Sequence, residues 1–206
     1  MDLIVRKLGT LSHSVGLEVQ LEARSRVLGG GPDELLLLEH DAVVTLGRRG
    51  GQVDRDTLGT LGTQIVQTDR GGQATWHGPG QLVGYPIVDL RRRALDIRAM
   101  VDGLGKAMED VSRGLGLPEA TYEGDRPGVY IRGRKLGAIG MHIHHGVTTH
   151  GFALNVDCDL RGFQAIEPCG DPALETTTLS RELGTAVSMD DVIQRIEKAL
   201  RLGPLP

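Results

Sequence analysis

The sequence is poor in aromatic residues. One Trp, three Tyr and two Phe make up 3% of 206 residues, so a core must rest on Leu, Val, Ile and Ala. Cysteine is scarce too: Cys158 and Cys169 show no Cys-x-x-Cys spacing of the metal-binding kind. No apolar run is long enough to span a bilayer, and the stretch Met1 to Lys7 lacks the apolar region of a signal peptide. A cytoplasmic protein with reduced thiols and no membrane contact is expected. Positive charge is not in excess either. The formal net charge is -4, which argues against nucleic acid as a general partner.

Glycine is what the chain has in quantity, 30 residues without a fixed period, as expected of many ordered loops between short strands. Charged residues at 24% and a hydrophobic set at 39% fit one globular domain over residues 1–206. The densest glycine segment runs from Arg70 to Gln81, between the β-like runs 64–68 and 82–88. Glycines joining two strands let backbone approach a ligand closely. A hairpin turn needs two residues and no particular chemistry. This segment carries Arg70, Thr75, Trp76, His77 and Gln81, so it reads as a binding loop.

Along the chain, Leu3 to Val5 is a short strand. Ser12 or Ser14 caps a helix to about Leu28, with Val15, Val19, Ala23 and Val27 on its buried stripe. Residues 34–39 and 42–46 read as strands, the first buried on both faces. Asp96 opens the clearest helix, in which Ile97, Met100, Val101, Leu104, Ala107, Met108 and Val111 recur at the 3.6 period. Short strands at 121–122 and 128–131 precede a strand from Lys135 to His144 and its hairpin partner from Val147 to Val156. A short helix within 159–166, a rigid loop over 167–172 and a last helix from about Ser188 complete the reading. The expected class is α/β or α+β, one mixed sheet flanked by helices.

Cys169 sits between Pro168 and Gly170, a fixed and exposed setting that suits a nucleophile, although a structural cysteine fits as well. Cys158 lies between Asp157 and Asp159, and negative neighbours make a thiolate less accessible. Lys135 begins a strand beside Gly137, Ala138 and Gly140. Near a thiol its ammonium would stabilise the thiolate; the bland alternative is a surface lysine. His142 and His144 share a strand face, with His145 adjacent and His150 across the hairpin. A zinc site is one reading, but no carboxylate or cysteine stands at metal-type spacing, and no metal is expected.

Four blocks, in this order, resemble the lipoyl(octanoyl) transferase family. They are Arg70-Gly71-Gly72 with Thr75-Trp76-His77 and Gly80-Gln81 to Tyr85; Lys135 to Gly140; His150 to Val156; and Pro168-Cys169-Gly170. The resemblance covers nearly the whole chain. It implies the mixed-sheet fold shared with lipoate-protein ligases and biotin ligases. Cys169 becomes the acyl-thioester nucleophile and Lys135 the residue that lowers its pKa. The acyl group is held by Arg70, Gly71, Gly72, Gln73, Ala74, Thr75, Trp76 and His77, by Ala138, Ile139 and Gly140, and by Gly151, Phe152 and Ala153. The donor implied is octanoyl-acyl carrier protein. The acceptors are lipoyl domains of 2-oxoacid dehydrogenase E2 subunits and the glycine cleavage H protein. Neither cofactor nor nucleotide is implied, and a monomer is expected.

Donor and acceptors of this kind are typically acidic, so Arg48, Arg49 and Arg91 to Arg93 form an expected docking surface. Two other readings stay open on the sequence. An ATP-dependent lipoate or biotin ligase shares the fold and needs no cysteine; a metal-binding module would use the histidines.

Overall fold

The computed structural model describes residues 3–167, 173–202 and 205. Strand β1 (Leu3–Leu11) leads into helix α1 (His13–Leu28), where the Ser12 hydroxyl accepts from the Val15 N–H at the first turn. Strands β2 (Asp33–His40) and β3 (Val43–Leu46), helix α2 (Arg55–Thr60) and strands β4 (Gln64–Gln67), β5 (Thr75–His77) and β6 (Gln81–Ile87) follow. Helix α3 (Ile97–Gly114) is capped by Asp96, whose carboxylate accepts from the Ala99 N–H at 2.7 Å. The chain then forms β7 (Thr121–Glu123), β8 (Gly128–Ile131), β9 (Arg134–His144), β10 (Val147–Asn155), α4 (Arg161–Gln164), α5 (Leu179–Leu183) and α6 (Met189–Leu202).

Seven strands make one mixed sheet, ordered β1-β2-β6-β10-β9-β8-β7, in which β1 and β2 run parallel and the other neighbours antiparallel. A second, three-stranded sheet has the order β4-β3-β5. The expectation of a single sheet is therefore corrected. The strands on either side of the glycine-rich segment, β4 and β6, belong to different sheets, so that segment is a crossing and not a hairpin turn. Part of it, β5, is itself a strand, pairing Val43 with His77 and Thr45 with Thr75.

Alternation along β2 separates the two sides of the main sheet. Leu35 and Leu37 enter the large core with Met100, Leu104 and Met108 of α3 and Ile196 and Leu200 of α6. Leu36 and Leu38 pack with Ala23 and Val27 of α1 and with Val83 and Tyr85. Fully burying one such leucine contributes about 1.5–3 kcal/mol. Helix α1 differs from its expected stripe. It buries His13, Gly16, Gln20, Ala23 and Val27, and Val15 is exposed. The reason is what lies beneath it: Gly16 packs on the His40 ring, and the Gln20 side chain accepts from the His150 N–H at 2.7 Å.

Candidate active site

A cavity of about 350 Å³ lies between the β9–β10 strand pair, the glycine-rich crossing and α1. Its sheet wall is built from Gly137 to Met141 of β9 and His150 to Ala153 of β10, in a register that sets Ala138 against Ala153, Ile139 against Phe152 and Gly140 against Gly151. Gly140 is required by close approach. A Cβ there would stand 2.9 Å from the Gly71 carbonyl oxygen, and the adjoining Gly71 N–H donates to the Met141 carbonyl at 2.9 Å. The crossing is thus laid directly onto the strand, and the small residues leave a groove of backbone and methyl groups.

The opposite wall comes from the crossing itself. Arg70, Gly71, Gly72, Gln73, Ala74, Thr75 and His77 line the cavity. The Arg70 guanidinium is buried and cross-links this wall to β3. Its Nε donates to Thr45 Oγ1 at 3.0 Å, one Nη2 bond reaches the Thr45 carbonyl at 2.6 Å, and Nη1 donates to the Gly71 carbonyl at 3.0 Å. Burial, with His40 and Arg70 nearby, pushes His77 well below the usual imidazole range, so the ring is neutral. Its Nδ1–H donates to Gln81 Oε1 at 2.6 Å, which leaves Nε2 to accept from Thr45 at 3.5 Å. Gln81 Nε2 donates onward to Asn155 Oδ1 at 2.9 Å, and Asn155 Nδ2 to the Thr177 carbonyl at 2.9 Å. Finally the Thr177 N–H donates to the Lys135 carbonyl at 2.9 Å. Donors point one way along the whole chain, from Arg70 to Lys135.

Trp76, expected among the acyl-holding residues, is not on the cavity wall. Period 2 along β5 sends Thr75 and His77 to the cavity and Trp76 to the other side. There its ring is 4% exposed, with the Phe163 ring 5.4 Å away centroid to centroid. A Cβ at Gly162 would collide with the indole, so the pocket is shaped to it. Trp76 anchors a small satellite core with Val44, Leu58 and Phe163.

Lys135 lines the cavity at 8% exposure, with Nζ 5.7 Å from the centroid of the Tyr130 ring. Its backbone is clamped on both sides by the returning chain. The Lys135 N–H donates to the Glu175 carbonyl at 2.8 Å, and the Lys135 carbonyl accepts from Thr177. On the approach side, the Glu167 N–H donates to the Gln52 carbonyl at 3.3 Å. Cys169 falls between these two anchors in sequence and lies outside the described residues. Cys158 is buried, and burial together with Asp157 and Asp159 pushes its thiol up to about 12, a poor nucleophile.

Several cavity residues carry no signal at the sequence level. His13 is read as part of an ordinary first turn, yet it lines the cavity, and burial beside His40 lowers it to about 4. Thr45 is the hinge of the polar chain. Tyr85 donates to the buried His40, whose Nδ1–H is held by the Leu11 carbonyl, so O–H and Nε2 meet at 2.7 Å. A histidine in a core strand and a threonine in an apolar run have nothing local to mark them.

The histidines of β9 and β10 also come out differently. A carboxylate does approach them: Asp69 Oδ1 meets His150 Nε2 at 2.7 Å and its Oδ2 meets His142 Nδ1 at 2.6 Å. Among the described residues, no group of three or more side chains is arranged to hold a metal ion. His144 and His145 stand exposed at the hairpin tip. The arginine surface is corrected in part. The Arg93 side chain is buried on Asp33 at 2.6 Å, whereas Arg92, paired with the same carboxylate at 2.8 Å, and Arg91, paired with Asp89 at 3.3 Å, stay exposed. They brace the strand-to-helix connection after β6. Arg48 and Arg49 are exposed, and Arg49 reaches the cavity rim. No helix of the described residues is long and apolar enough to cross a membrane.

Comparison with known proteins places this architecture. The solved lipoate-protein ligase A bound with ATP superposes with a TM-score of 0.73 at 17% identity, covering 96% of this chain and 83% of that one. The bipartite lipoate protein ligase of Thermoplasma acidophilum gives 0.76 at 20% identity over 97% and 82%. Biotin protein ligase from Aquifex aeolicus gives 0.53 at 14% identity over 98% and 67%. The fold expected from the sequence, that of the lipoate and biotin ligases, is the one observed. In sequence, the octanoyltransferase of Mycolicibacterium smegmatis is 45% identical over 202 residues, 95% of this chain and 86% of the relative. That of Mycobacterium tuberculosis is 45% identical over 199 residues, 95% and 84%. The family described as lipoyl protein ligase A/B catalytic domain matches residues 15–201, and the chain belongs to it.

Proposed function

We propose that the protein moves an octanoyl group from an acyl carrier protein thioester to the ε-amine of a lysine on a lipoyl domain, through a thioester on Cys169. The protein is an acyltransferase: relatives 43% to 46% identical over about 95% of its length carry the name octanoyltransferase. The observation that carries the finer reading is the groove of small residues that ends at Lys135, a lysine whose backbone is tied to Glu175 and Thr177, just past Cys169 in sequence.

In the first half-reaction the Cys169 thiolate attacks the octanoyl carbonyl and the carrier thiol departs with a proton. In the second, the acceptor amine attacks the octanoyl-Cys169 carbonyl, an amide forms and the Cys169 thiolate is released. Lys135 stabilises the thiolate and shuttles the proton in each step. Backbone N–H groups along the glycine-rich wall are suited to receive the developing oxyanion. Thioester to amide runs downhill, so no nucleotide is consumed. Each methylene buried in the groove contributes about 0.8 kcal/mol, which favours a chain that fills it. Exposed Arg48 and the rim residue Arg49 remain the candidate contacts for an acidic carrier. The acceptors are lipoyl domains of 2-oxoacid dehydrogenase E2 subunits and the glycine cleavage H protein.

Intact mass spectrometry after incubation with octanoyl-acyl carrier protein tests this. The wild type gains one octanoyl unit, Cys158→Ser keeps it as a thioester and Cys169→Ser loses the thioester. A wild type that stays unmodified, yet octanoylates a lipoyl domain with free octanoate and ATP, would establish the ligase reading that the fold also admits.

A further inference from the structure

Strand β9 does not alternate strictly. Against β8 it sets Ala138 opposite Gly128, Gly137 opposite Val129, Lys135 opposite Tyr130 and Arg134 opposite Ile131. Leu136 is the extra residue of a β-bulge, so Lys135 and Leu136 together are opposed by Tyr130 alone. Leu136 is fully buried in the large core with Val129 and Ile131. Gly137 turns the same way, since a Cβ there would stand 3.2 Å from the Met108 sulfur. Ala138 lies on the other face, paired with Ala153. Strict alternation counted back from Ala138 would send Leu136 to the cavity and Lys135 into the core. The bulge reverses this and delivers Lys135 to the cavity wall.

The place that receives the side chain is built from β8. A Cβ at Gly128 would stand 3.1 Å from Lys135 Cε and 3.4 Å from the Tyr130 ring, so the glycine opens a slot for the lysine stem beside that ring. Tyr130 is 2% exposed, and its hydroxyl donates to the Arg126 carbonyl at 3.0 Å, which fixes the ring plane. Lys135 Nζ lies over the ring face, 5.7 Å from its centroid and within the range of cation–π attraction. The Arg126 guanidinium lies over the same ring at 5.1 Å and pairs with Glu123 at 2.9 Å. Asp125 and Arg126 are the charged side chains that the turn between β7 and β8 brings to the cavity wall. The neighbouring Arg134 is taken up by Glu182 at 2.8 Å.

We infer that Tyr130 is the positioning residue for Lys135: its ring face holds the ammonium at the part of the cavity to which the bulge delivers it. The inference rests on the acyl-transfer function proposed above, in which that ammonium stabilises the Cys169 thiolate and carries protons. A lysine stem is flexible, so aiming its backbone alone leaves the charge loosely placed. The aromatic face narrows that freedom. Unlike a carboxylate, it attracts the ammonium without neutralising it, and the charge stays available to the thiolate.

The experiment compares the wild type, Tyr130→Phe and Tyr130→Leu in octanoyl transfer from octanoyl-acyl carrier protein to a lipoyl domain across pH, with urea unfolding alongside. Tyr130→Leu lowers kcat by about tenfold and leaves KM for the donor within about twofold. It also moves the acid limb of kcat/KM up by about one pH unit, because a thiolate deprived of its cation forms only at higher pH. Tyr130→Phe keeps the ring and restores both kcat, to within about threefold, and the acid limb. A folded Tyr130→Leu with the wild-type pH profile overturns the assignment, as does a Tyr130→Phe impaired as much as Tyr130→Leu. Should Tyr130→Leu not fold, phenylalanines of increasing fluorination at position 130 weaken the ring face at nearly constant volume. The acid limb then climbs with each added fluorine, and a series without that trend overturns the assignment. A wild type that transfers no octanoyl group overturns the proposed function together with the role of Tyr130, whereas an active wild type with unshifted variants overturns that role alone.

Discussion

Helices α1 and α3 cover opposite faces of the same sheet and bury different chemistry. The α3 face inserts Met100, Leu104, Ala107, Met108 and Val111 into the large core. The α1 face places His13, Gly16 and Gln20 against the sheet before it reaches Ala23 and Val27. Both helices reach the cavity, α3 through Ile97 and Val101 at its first turns and α1 through His13, but only α3 buries an otherwise apolar stripe. The polar half of α1 is only partly partnered: Gln20 Oε1 accepts from the His150 N–H while its buried Nε2 finds no partner among the described residues, and the neutral His13 faces the cavity. The comparison teaches that the polar residues on a buried helix face mark where it meets the cavity and the turn at His150.

The largest effect expected on the site side comes from Lys135→Ala. On the proposed mechanism, loss of this lysine cuts turnover by about 10²–10⁴-fold, read as initial rate of octanoyl transfer. On the other face, Leu104→Ala leaves a cavity and costs about 2–5 kcal/mol in urea unfolding, and KM for the octanoyl donor stays at its wild-type value. A change in KM there would break the division between the faces. Gln20→Ala should do both at once: about 1–3 kcal/mol of stability for the orphaned His150 N–H, and a raised KM as the left-handed backbone at His150, φ 56°, relaxes.

Acidification sharpens the contrast further. Burial lowers His13 from 6.5 to about 4 and holds His40, His77 and His150 down as well. The unfolded chain takes up protons at these positions first, so stability falls as pH drops from 6.5 toward 4, and the melting temperature falls with it. His13→Gln flattens that slope. The smallest effect is Asp96→Ala, which removes the α3 cap for about 1 kcal/mol and changes no kinetic constant.

The same contrast explains what the sequence discloses. Helix α3 is legible because every buried position obeys the 3.6 period and nothing competes with it. Helix α1 is legible from Val19 through Ala23 to Val27 and misread at Val15, which is exposed because His13, Gly16 and Gln20 take the buried positions of the first turns. In the glycine-rich segment, the composition points to a binding loop, and the segment lines the cavity. Its internal strand β5 is hidden by the surrounding glycines, and so the opposite facing of Trp76 and His77 is hidden too. The blocks from Lys135 to Gly140 and from Gly151 to Ala153 are legible as small-residue strands, and they line the cavity. The Asp69 link to His142 and His150 is invisible, because it depends on a chain crossing that no local pattern specifies.

The run of donors from Arg70 through Thr45, His77, Gln81 and Asn155 to Thr177 has a consequence for motion. Reversing any one amide strands two neighbours, so the six residues open together or stay shut. The glycine-rich wall and the strand carrying Lys135 then form one cooperative unit, although far apart in sequence. In hydrogen exchange, the amide of Thr177 would report on the integrity of a wall it never touches, exchanging at the rate at which that unit opens as a whole.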